Sequence, residues 1–506
     1  MKDKETRILI LSVFIAGLCS IIYELLIATA SSYFLGDSVK QFSITIGAYM
    51  AAMGIGSYFS KSISDENLLV KFIRFEILLG LIGGFSVPLL YVAFAYTDYL
   101  QATSIILTFI IGLLIGLEIP FLSRLLEKHY TLKVNISYVL SIDYFGALVA
   151  TLAFPFLLLP LLGTFKTSLF FGLANMSIAI ILLLFFADAI AISRKKILWT
   201  YTALATLLLG GSFLLSNVLL SSWSNNLYTD RIVFSKETSY QNIVLTKDKE
   251  DIRLYLNGNL QFSSSDEYRY HEPLIHVPLG FLNNPKSVLI LGGGDGLAVR
   301  EVLKYTSVDD ITLVDLDPEI SQLGKNNNHL TRINHNSLHH QKVNVINQDA
   351  YEFLLKHNKK FDAIIIDLPD PNSPTLARLY SKEFYKLVGL HLSSHGIFVT
   401  QATSPFFARN AYWTIFSTIQ SAGFTSTLPY HVNVPSFGEW GFIIGSPKKI
   451  NTEQWVAKID SRYIDAKTVE KSWHFSKDIA YIPLDPSTID RPKVLEHYLQ
   501  GWQYWN

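Results

Sequence analysis

The chain has 506 residues, half of them hydrophobic, and its mean hydropathy of +0.28 is high for a soluble protein. Basic and acidic residues number 42 each, so the formal net charge is zero and no basic surface for nucleic acid is expected. The only cysteine, Cys19, excludes disulfide bonds within the chain and cysteine-based metal sites.

Residues 1–222 contain apolar runs close to the length of about 20 residues that crosses a bilayer. The predicted spans are residues 8–28, 42–59, 72–94, 104–122, 136–158, 165–186 and 198–219. Lysine and arginine cluster before the first span and in alternate loops, which places the N-terminus in the cytoplasm. We therefore predict an N-terminal α-helical bundle of about seven spans in the lipid bilayer of the cell membrane.

Acidic residues lie inside these spans. Glu24, Glu118 and Asp143 are well within the runs, and Glu76 is nearer to an end. Charged side chains in a bilayer usually face the bundle interior and mark a path or a site. A path for cations and a set of protonated carboxyls that hydrogen-bond between helices both fit this pattern.

Residues 223–284 are predicted to form a small β-meander domain. Short strands at residues 241–246, 252–256 and 260–262 are separated by turn residues, and Asn257-Gly258 is typical of a tight hairpin. A helix is expected next, with Ser265 or Asp266 as its N-terminal cap.

Strands and helices alternate over residues 285–506, which predicts an α/β Rossmann-like domain with a parallel sheet. Strands are expected at residues 288–291, 311–314, 343–346, 363–366, 396–400 and 441–444. The loop Gly292-Gly-Gly-Asp-Gly296 follows the first of them. Such a loop seats adenosyl or dinucleotide ligands, because glycine lets the backbone approach the ligand closely.

Aspartates follow successive strands of this predicted sheet: Asp295, Asp315, Asp349, Asp367 and Asp370. The carboxyl ends of parallel strands meet at one edge, so these side chains are expected to lie together. Asp315 has the spacing from the glycine loop at which an acid binds ribose hydroxyls. An acidic edge repels phosphates and attracts amines or other cations, which indicates a cationic ligand.

These motifs resemble the spermidine synthase (polyamine aminopropyltransferase) family, in the branch where a multi-span module precedes the domain. The resemblance runs from about residue 240 to residue 445 and includes Tyr240-Gln-Asn-Ile243, Asn257-Gly-Asn-Leu-Gln261, Asp266-Glu267, Tyr270-His-Glu272, the glycine loop and Asp367-Leu-Pro-Asp-Pro371. It implies that the Rossmann-like domain is of the S-adenosylmethionine-methyltransferase-like kind. It also implies transfer of the aminopropyl group of decarboxylated S-adenosylmethionine to a di- or polyamine such as putrescine, giving spermidine and methylthioadenosine. It implies no metal and no cofactor, since the sulfonium donor is a co-substrate, and a homodimer or tetramer.

The resemblance also implies roles for individual residues. Contacts to the donor are expected from Gln241, Asp295, Asp315, Asp349 and Ala350. Contacts to the amine are expected from Tyr270, His271 and Asp370, with Asp367 as the base. The chain departs from the family pattern at Leu368 and Pro369, where small residues are usual, and at Pro435, where many members carry a tyrosine. These departures leave the acceptor amine open.

The chemistry agrees with these roles. A primary amine has a pKa of about 10 and is almost wholly protonated at neutral pH, so a base such as Asp367 must take its proton. Asp295 fits the free amine of the aminopropyl arm and disfavours ordinary S-adenosylmethionine, whose carboxylate would lie nearby. Two alternatives stay open: a membrane polyamine transporter or sensor whose soluble domain only binds, and an S-adenosylmethionine-dependent methyltransferase.

The side of the membrane on which the soluble half lies is not settled by the sequence. Seven crossings from a cytoplasmic N-terminus place it outside. The donor is made in the cytosol, so the supply of substrate favours the cytoplasm, and we give this argument slightly greater weight.

Overall fold

The computed structural model describes residues 2–35, 38–97, 99–127, 130–238 and 240–503. The chain forms two compact units, Met1–Thr229 and Asp230–Asn506. The predicted boundary after residue 222 lies shortly before the division between these units. The further boundary predicted after residue 284 stays a prediction.

The first unit is helical. Its helices are α1 (Lys2–Leu35), α2 (Ser38–Ser60), α3 (Leu68–Gly84), α4 (Ser86–Tyr96), α5 (Leu100–Leu126), α6 (Leu132–Ala153), α7 (Leu159–Phe185), α8 (Ile192–Leu214) and α9 (Ser216–Leu227). Within the described residues, 6 helical stretches are long and apolar enough to cross a membrane, and each predicted span overlaps one of them. Two predicted spans share the stretch Leu132–Phe185, which has 54 residues. A straight helix of that length would measure about 80 Å, more than twice the thickness of a bilayer core.

Hydrogen bonds between the helices fix the direction of α7. Near the end of α3, Gly84 O accepts from Ser168 Oγ at 2.6 Å, and earlier in α3, Glu76 Oε2 accepts from Asn175 Nδ2 at 2.7 Å. Later residues of α3 thus meet earlier residues of α7. The two helices are antiparallel, and α7 ends where α3 begins.

The direction of α6 follows from the loop that precedes α3. Arg124, near the end of α5, donates to Ser60 O at 3.1 Å and to Ile63 O at 2.7 Å, so α5 ends where α3 begins. Asn135, near the start of α6, donates to Ser123 O at 2.6 Å, so α6 begins at that same end.

The chain therefore reverses between α6 and α7. The break is at Gly163, whose φ of 67° and ψ of 179° are not helical. The long stretch is two helical segments that run in opposite directions and are joined by a sharp turn, whereas the prediction of seven membrane spans stays a prediction.

Small residues let neighbouring helices approach closely. A Cβ atom on Gly56 of α2 would lie 2.1 Å from Leu113 O, and one on Gly116 of α5 would lie 2.2 Å from Met53 O. Large apolar side chains cover the outside of the unit, among them Leu214 and Phe156, which are 83% and 80% exposed.

The second unit begins with a four-stranded antiparallel sheet in the order β1 (Arg231–Glu237), β2 (Asn242–Asp248), β3 (Asp251–Leu256), β4 (Asn259–Ser263). Strands β2, β3 and β4 confirm the prediction, whereas β1 was not predicted. Asn257 and Gly258 have φ values of 51° and 80°, the left-handed pair expected of the predicted hairpin.

A seven-stranded sheet follows, in the order β10-β11-β9-β8-β5-β6-β7. Its strands are β5 (Ser287–Gly292), β6 (Asp310–Asp315), β7 (Val343–Asn347), β8 (Phe361–Asp367), β9 (Leu392–Gln401), β10 (Ser426–Val434) and β11 (Gly438–Ser446). Strands β9 to β7 pair in parallel, and the last two strands of the chain are antiparallel additions at one edge. The predicted Rossmann-like domain after a small antiparallel sheet is confirmed, and β10 is the one strand of this sheet that was not predicted.

The α-helices described in the second unit are α10 (Tyr268–Gly280), α11 (Leu297–Val302), α12 (Pro318–Asn326), α13 (Asn328–Ile333), α14 (Ala350–Lys356), α15 (Pro374–Ala377), α16 (Lys382–Leu390), α17 (Arg409–Ser421), α18 (Ala466–Ser472) and α19 (Lys493–Trp502). Residues of α10 and α11 pack on one face of this sheet and residues of α14, α16 and α17 on the other. The predicted cap of α10 is wrong, because Asp266 instead accepts from the backbone N of Ser436 at 2.7 Å and from its hydroxyl at 2.9 Å. The strand order reverses beside β5, which is where ligands bind in such sheets.

Candidate active site

The glycine loop occupies the point where β5 and β8 end. Gly292 and Gly293 have φ values of 85° and 69°, and a Cβ atom on Gly292 would lie 2.0 Å from Asp367 O. Only glycine fits there without displacing the neighbouring strand. The loop is tied to β6 as well, because Gly294 N donates to Asp315 Oδ2 at 2.9 Å.

Asp315 and Asp295 face this loop from two elements. Asp315 Oδ1 accepts from Asp317 N at 2.9 Å, and Asp295 Oδ1 accepts from Leu297 N at 2.8 Å at the start of α11. Burial raises the pKa of each carboxyl to about 6. Loss of hydration therefore disfavours the ionised form of both, which a bound cation would reverse.

Gln241 is anchored beside the end of β6. Its Nε2 donates to Asp317 Oδ2 at 3.1 Å, and the hydroxyl of Thr238 donates to the same oxygen at 2.8 Å. Asp317 thus joins the segment before β2 to the edge of the large sheet and brings Gln241 to the predicted donor site.

Asp349 and Ala350 stand at the start of α14. Asp349 caps this helix through Glu352 N at 3.0 Å and forms an ion pair of 2.5 Å with Arg378. Ala350 is buried. The charge of Asp349 is therefore balanced by a cation that the sequence did not reveal.

Asp367 ends β8 and contacts Tyr270 of α10. The Tyr270 hydroxyl donates to Asp367 Oδ1 at 2.7 Å, and Asp367 Oδ2 would lie 3.1 Å from a Cβ atom on Gly293. Burial raises the pKa of Asp367, while the charge of His271 and the Tyr270 hydrogen bond oppose the shift. The carboxyl is held between the glycine loop and α10.

His271 belongs to a buried charged cluster. Its Nδ1 lies 2.9 Å from Glu267 Oε2, and Arg300 donates to both oxygens of Glu267 at 2.9 Å. Burial disfavours the imidazolium, but the hydrogen bond to Glu267 outweighs it and raises the pKa of His271 to about 9. The ring is therefore cationic at neutral pH, and its charge lowers the pKa of both Asp295 and Asp367.

Asp370 is surrounded by hydrogen-bond donors. Gln401 Nε2 lies 3.2 Å from Oδ1, the Thr403 hydroxyl lies 3.3 Å from Oδ2, and Tyr498 of α19 donates from its hydroxyl. Burial raises the pKa of this carboxyl to about 6. The turn before it is also fixed, since Gln401 donates to Leu368 O at 2.7 Å.

Comparison with known proteins decides the family. The Spermine/spermidine synthase domain family matches residues 267–455. A polyamine aminopropyltransferase of Leptospira interrogans is 42% identical over 98% of this chain and 98% of its own length. This chain belongs to the polyamine aminopropyltransferase family. Polyamine aminopropyltransferase 2 of Ralstonia nicotianae is 39% identical over 99% of both chains.

Two solved spermidine synthases are similar to about half of this chain. One bound to the transition-state analogue AdoDATO is 25% identical, with a TM-score of 0.46, over 49% of this chain and 86% of its own. The enzyme of Thermotoga maritima is also 25% identical, with a TM-score of 0.45, over 49% of this chain and 85% of its own. The predicted family and the predicted aminopropyltransferase activity are confirmed by the full-length relatives.

The structure of this aminopropyltransferase brings together most of the predicted site residues. The ends of β5 and β8 are adjacent, and Asp295, Tyr270, His271 and Asp367 interact there. Sequence reasoning missed Arg300, Arg378, Gln401 and Tyr498. Glu267 belongs to a motif of the family, but its contact with His271 was not predicted. The two residues are four apart in the sequence, a spacing that brings side chains together on a helix and could have revealed the contact.

Proposed function

We propose that this enzyme transfers the aminopropyl group of decarboxylated S-adenosylmethionine to a di- or polyamine such as putrescine, which gives spermidine and methylthioadenosine. The observation that carries the proposal is the convergence of Asp295 and Asp367 at the ends of adjacent strands, β5 and β8. Two buried carboxylates that lie close together suit two cationic substrates. The buried imidazolium of His271 offsets part of their negative charge when no substrate is bound.

The donor lies along the glycine loop in this proposal. Asp315 accepts from the ribose hydroxyls with lone pairs left free by its two backbone bonds, and Gln241 lies beside it. The adenine contacts Asp349, whose orientation is fixed by Arg378, and the buried start of α14 at Ala350. Asp295 binds the ammonium end of the aminopropyl arm.

The acceptor enters as an ammonium ion and must lose a proton before it reacts. Asp367 takes this proton, and the freed nitrogen lone pair attacks the carbon next to the sulfonium. The new C–N bond forms as the C–S bond breaks, and the electron pair of that bond leaves with sulfur as a neutral thioether. A neutral leaving group needs no metal, so the expectation of no metal and no cofactor fits this mechanism, and positioning supplies much of the acceleration.

His271 has a different role from the predicted contact to the amine. A cationic ring repels an ammonium ion, and its Nδ1 is already engaged by Glu267. In this proposal His271 is a positioning residue, whose charge lowers the pKa of Asp295 and of Asp367 and so opposes the effect of their burial. Tyr270 orients Asp367 from the other side.

Asp370 binds the far ammonium of the acceptor. Its donors Gln401, Thr403 and Tyr498 hold both oxygens in place, so the distance between Asp367 and Asp370 is fixed by the fold. Leu368 and Pro369 lie between the two acids in the sequence, and the backbone oxygen of Leu368 accepts from Gln401 Nε2 at 2.7 Å.

We place the helical unit in the cell membrane, in contact with lipid. Its seven passes and its apolar exterior support this location. The same number of passes puts the start and the end of the unit on opposite sides of the bilayer. The expectation of a homodimer or tetramer also stays a proposal.

The intramembrane acids differ in their surroundings. Glu118 is buried within hydrogen-bonding reach of Glu76, which also accepts from Asn175 at 2.7 Å. A path for cations along Glu24, Glu118 and Asp143 stays a prediction.

The decisive experiment incubates the purified full chain with decarboxylated S-adenosylmethionine and a panel of amines from diaminopropane to spermine. Mass spectrometry is expected to detect methylthioadenosine and one aminopropylated product in equal amounts. A folded sample that forms neither would overturn the proposal. Methyl transfer from ordinary S-adenosylmethionine would restore the methyltransferase alternative.

A further inference from the structure

An open groove runs along the outside of the helical unit between α3 and α8. Its volume is about 460 Å³. Its walls are apolar, and its only polar lining residues are an arginine and a tyrosine. The lining residues are Arg74, Ile77, Leu78 and Leu81 of α3 and Tyr201, Leu204, Ala205 and Leu208 of α8.

The two helices that form the groove run in the same direction. A Cβ atom on Gly84, at the end of α3, would lie 2.7 Å from Leu209 late in α8. Phe72 near the start of α3 and Leu198 near the start of α8 share one buried cluster. Arg74 and Tyr201, the first lining residue of each helix, therefore mark the same end of the groove.

Basic residues extend the groove at this end. Lys71 precedes Arg74 by three residues on the same face of α3, and Arg194 precedes Tyr201 by seven residues on the same face of α8. Arg74 is exposed, and no hydrogen bond or ion pair to it is found within the part of the chain that the structure describes. Leu204 and Leu208 are 60% and 57% exposed, so the apolar walls are accessible along their length.

We propose that this groove binds an anionic phospholipid, with one acyl chain along α3 and α8 and the phosphate at Arg74 and the Tyr201 hydroxyl. The leucine side chains of the walls cannot form hydrogen bonds with a polar ligand, which favours an acyl chain. The basic end attracts a net negative charge, which a zwitterionic lipid lacks. Basic pockets between membrane helices are known to bind acidic lipid headgroups. The inference rests on the membrane location proposed above.

The test measures lipid binding to the full chain in detergent by native mass spectrometry. Dioleoylphosphatidylglycerol is expected to bind more tightly than dioleoylphosphatidylcholine, and inorganic phosphate alone is expected not to bind. Arg74→Gln should weaken binding of the anionic lipid about fivefold, as expected for one basic residue near an anionic surface, and leave the zwitterionic lipid unaffected. Arg74→Lys should restore most of the loss.

Matched controls separate the groove from general surface effects. Lys133→Gln removes an exposed cation at the start of α6, outside the groove, and should change nothing. Leu208→Trp should weaken both lipids, whereas Leu214→Trp on the same helix beyond the groove should weaken neither. Equal affinity for the two lipids, or equal losses in Arg74→Gln and Lys133→Gln, would overturn the proposal.

Failure of the groove is distinguishable from failure of the enzyme assignment. Arg74→Gln is expected to keep full aminopropyl transfer, since Arg74 belongs to the helical unit and lies outside the catalytic machinery. Recovery of the full chain in the aqueous fraction without detergent would overturn the membrane location and this proposal with it. The proposed aminopropyl transfer would not be affected, because the amine assay tests it separately.

Discussion

Asp367 carries the proton transfer in the proposed mechanism, and its replacement tests that role directly. Asp367→Asn keeps the shape of the side chain and its contact with Tyr270 but cannot accept the proton of the ammonium. Turnover is expected to fall about 10²- to 10⁴-fold, the range typical of general bases. Methylthioadenosine affinity, measured by calorimetry, should stay within about twofold, because this product is neutral.

Asp309→Asn is the matched control for this substitution. Asp309 has a side chain that is 65% exposed and pairs with Lys286 at the surface. Its replacement should leave turnover unchanged. Wild-type turnover by Asp367→Asn would remove Asp367 from the mechanism.

The buried acids also predict how donor binding depends on pH. Burial raises the pKa of Asp295, Asp315 and Asp370 to about 6, above the value of 3.8 for a free aspartate. Their contribution to folding is therefore present below pH 3.8 and is lost as the pH rises through 6. A bound cation favours the ionised forms, so the affinity for the donor should fall as the pH drops through 6.

Calorimetry from pH 7.5 down to pH 5 tests this expectation. Binding of the cationic donor should release protons near pH 6, which shows as a dependence of the heat on the ionisation enthalpy of the buffer. Methylthioadenosine should show a much smaller dependence. Identical pH profiles for the two ligands would show that the acids do not sense the charge of the donor.

Tyr498 is expected to act on the acceptor alone. Tyr498→Phe removes one of the donors that hold Asp370, and hydrogen bonds to charged groups contribute about 1.5–3 kcal/mol. The KM for the amine should therefore rise about tenfold or more, with the KM for the donor unchanged. Tyr481→Phe, at a tyrosine that is 51% exposed, should leave both constants unchanged. A rise in the KM for the donor instead would place Tyr498 outside the amine site.

The sequence predicts some of these residues and not others for a physical reason. Asp295 and Asp367 follow strands, and parallel strands necessarily bring their ends together, so the pattern predicts their meeting. Tyr498 reaches Asp370 from a helix more than a hundred residues later, and no local pattern contains that contact. The ion pair of Arg378 could not be predicted for a similar reason, since its partner Asp349 stands at the start of a different helix.

At the scale of elements, Gly163 is the position on which the helical hairpin depends. Its φ of 67° and ψ of 179° lie in a region that side chains other than glycine rarely enter. Gly163→Ala is expected to destabilise the helical unit by about 1–3 kcal/mol, measured as a lower Tm in detergent.

Gly210→Ala is the control for the hairpin. Gly210 lies inside α8 with open space around the position of a Cβ atom, so alanine should stabilise the helix by up to about 1 kcal/mol. Equal effects of the two substitutions would show that the turn at Gly163 carries no strain.

The two strands that were not predicted have local causes. β1 is only partly buried, with no fully buried residue, so its sequence lacks the alternation of a half-buried strand. β10 contains Pro429, which argues against a central strand, and it pairs with β11 alone at the edge of the sheet. The long helices of the first unit were predictable because the length and composition of the apolar runs identify them. The reversal between α6 and α7 was predictable because the apolar residues there form two runs, each long enough for one pass.

At the scale of the whole molecule, the aminopropyltransferase relatives cover the helical unit as well as the catalytic one. The relative of Leptospira interrogans aligns over 98% of this chain, so the fusion of the two units is shared with it. Anchoring alone would need one pass, so the seven passes proposed for this unit leave room for a further function. The lipid groove and the acids of the bundle are the features of this unit that such a function could use.

The number of passes predicts the sidedness of the enzyme. An odd number places the start of α1 and the end of α8 on opposite sides of the bilayer. Trp223, which follows α8, donates to Tyr91 O at 2.6 Å and lies 6.0 Å from the ring of Phe34 near the end of α1. The chain therefore leaves the helical unit at the end opposite its basic loops.

Reporters that are active on one side of the membrane test this arrangement. Alkaline phosphatase and a fluorescent protein, each fused in turn before residue 1 and after residue 506, are expected to report opposite sides. The same side for both ends would show that one of the seven passes does not cross. The positive-inside rule then assigns the basic loops, and the N-terminus with them, to the cytoplasm.

That assignment conflicts with a donor made in the cytosol, and sealed membrane vesicles resolve the conflict. The donor is a cation that does not cross lipid unaided, so only vesicles that expose the catalytic unit should form methylthioadenosine when it is added outside. Activity in inside-out vesicles alone would place the unit in the cytoplasm and the basic loops outside, against the charge rule. Activity in right-side-out vesicles alone would mean that the donor must cross the membrane to reach Asp367, which would give the seven-pass unit a substrate to carry.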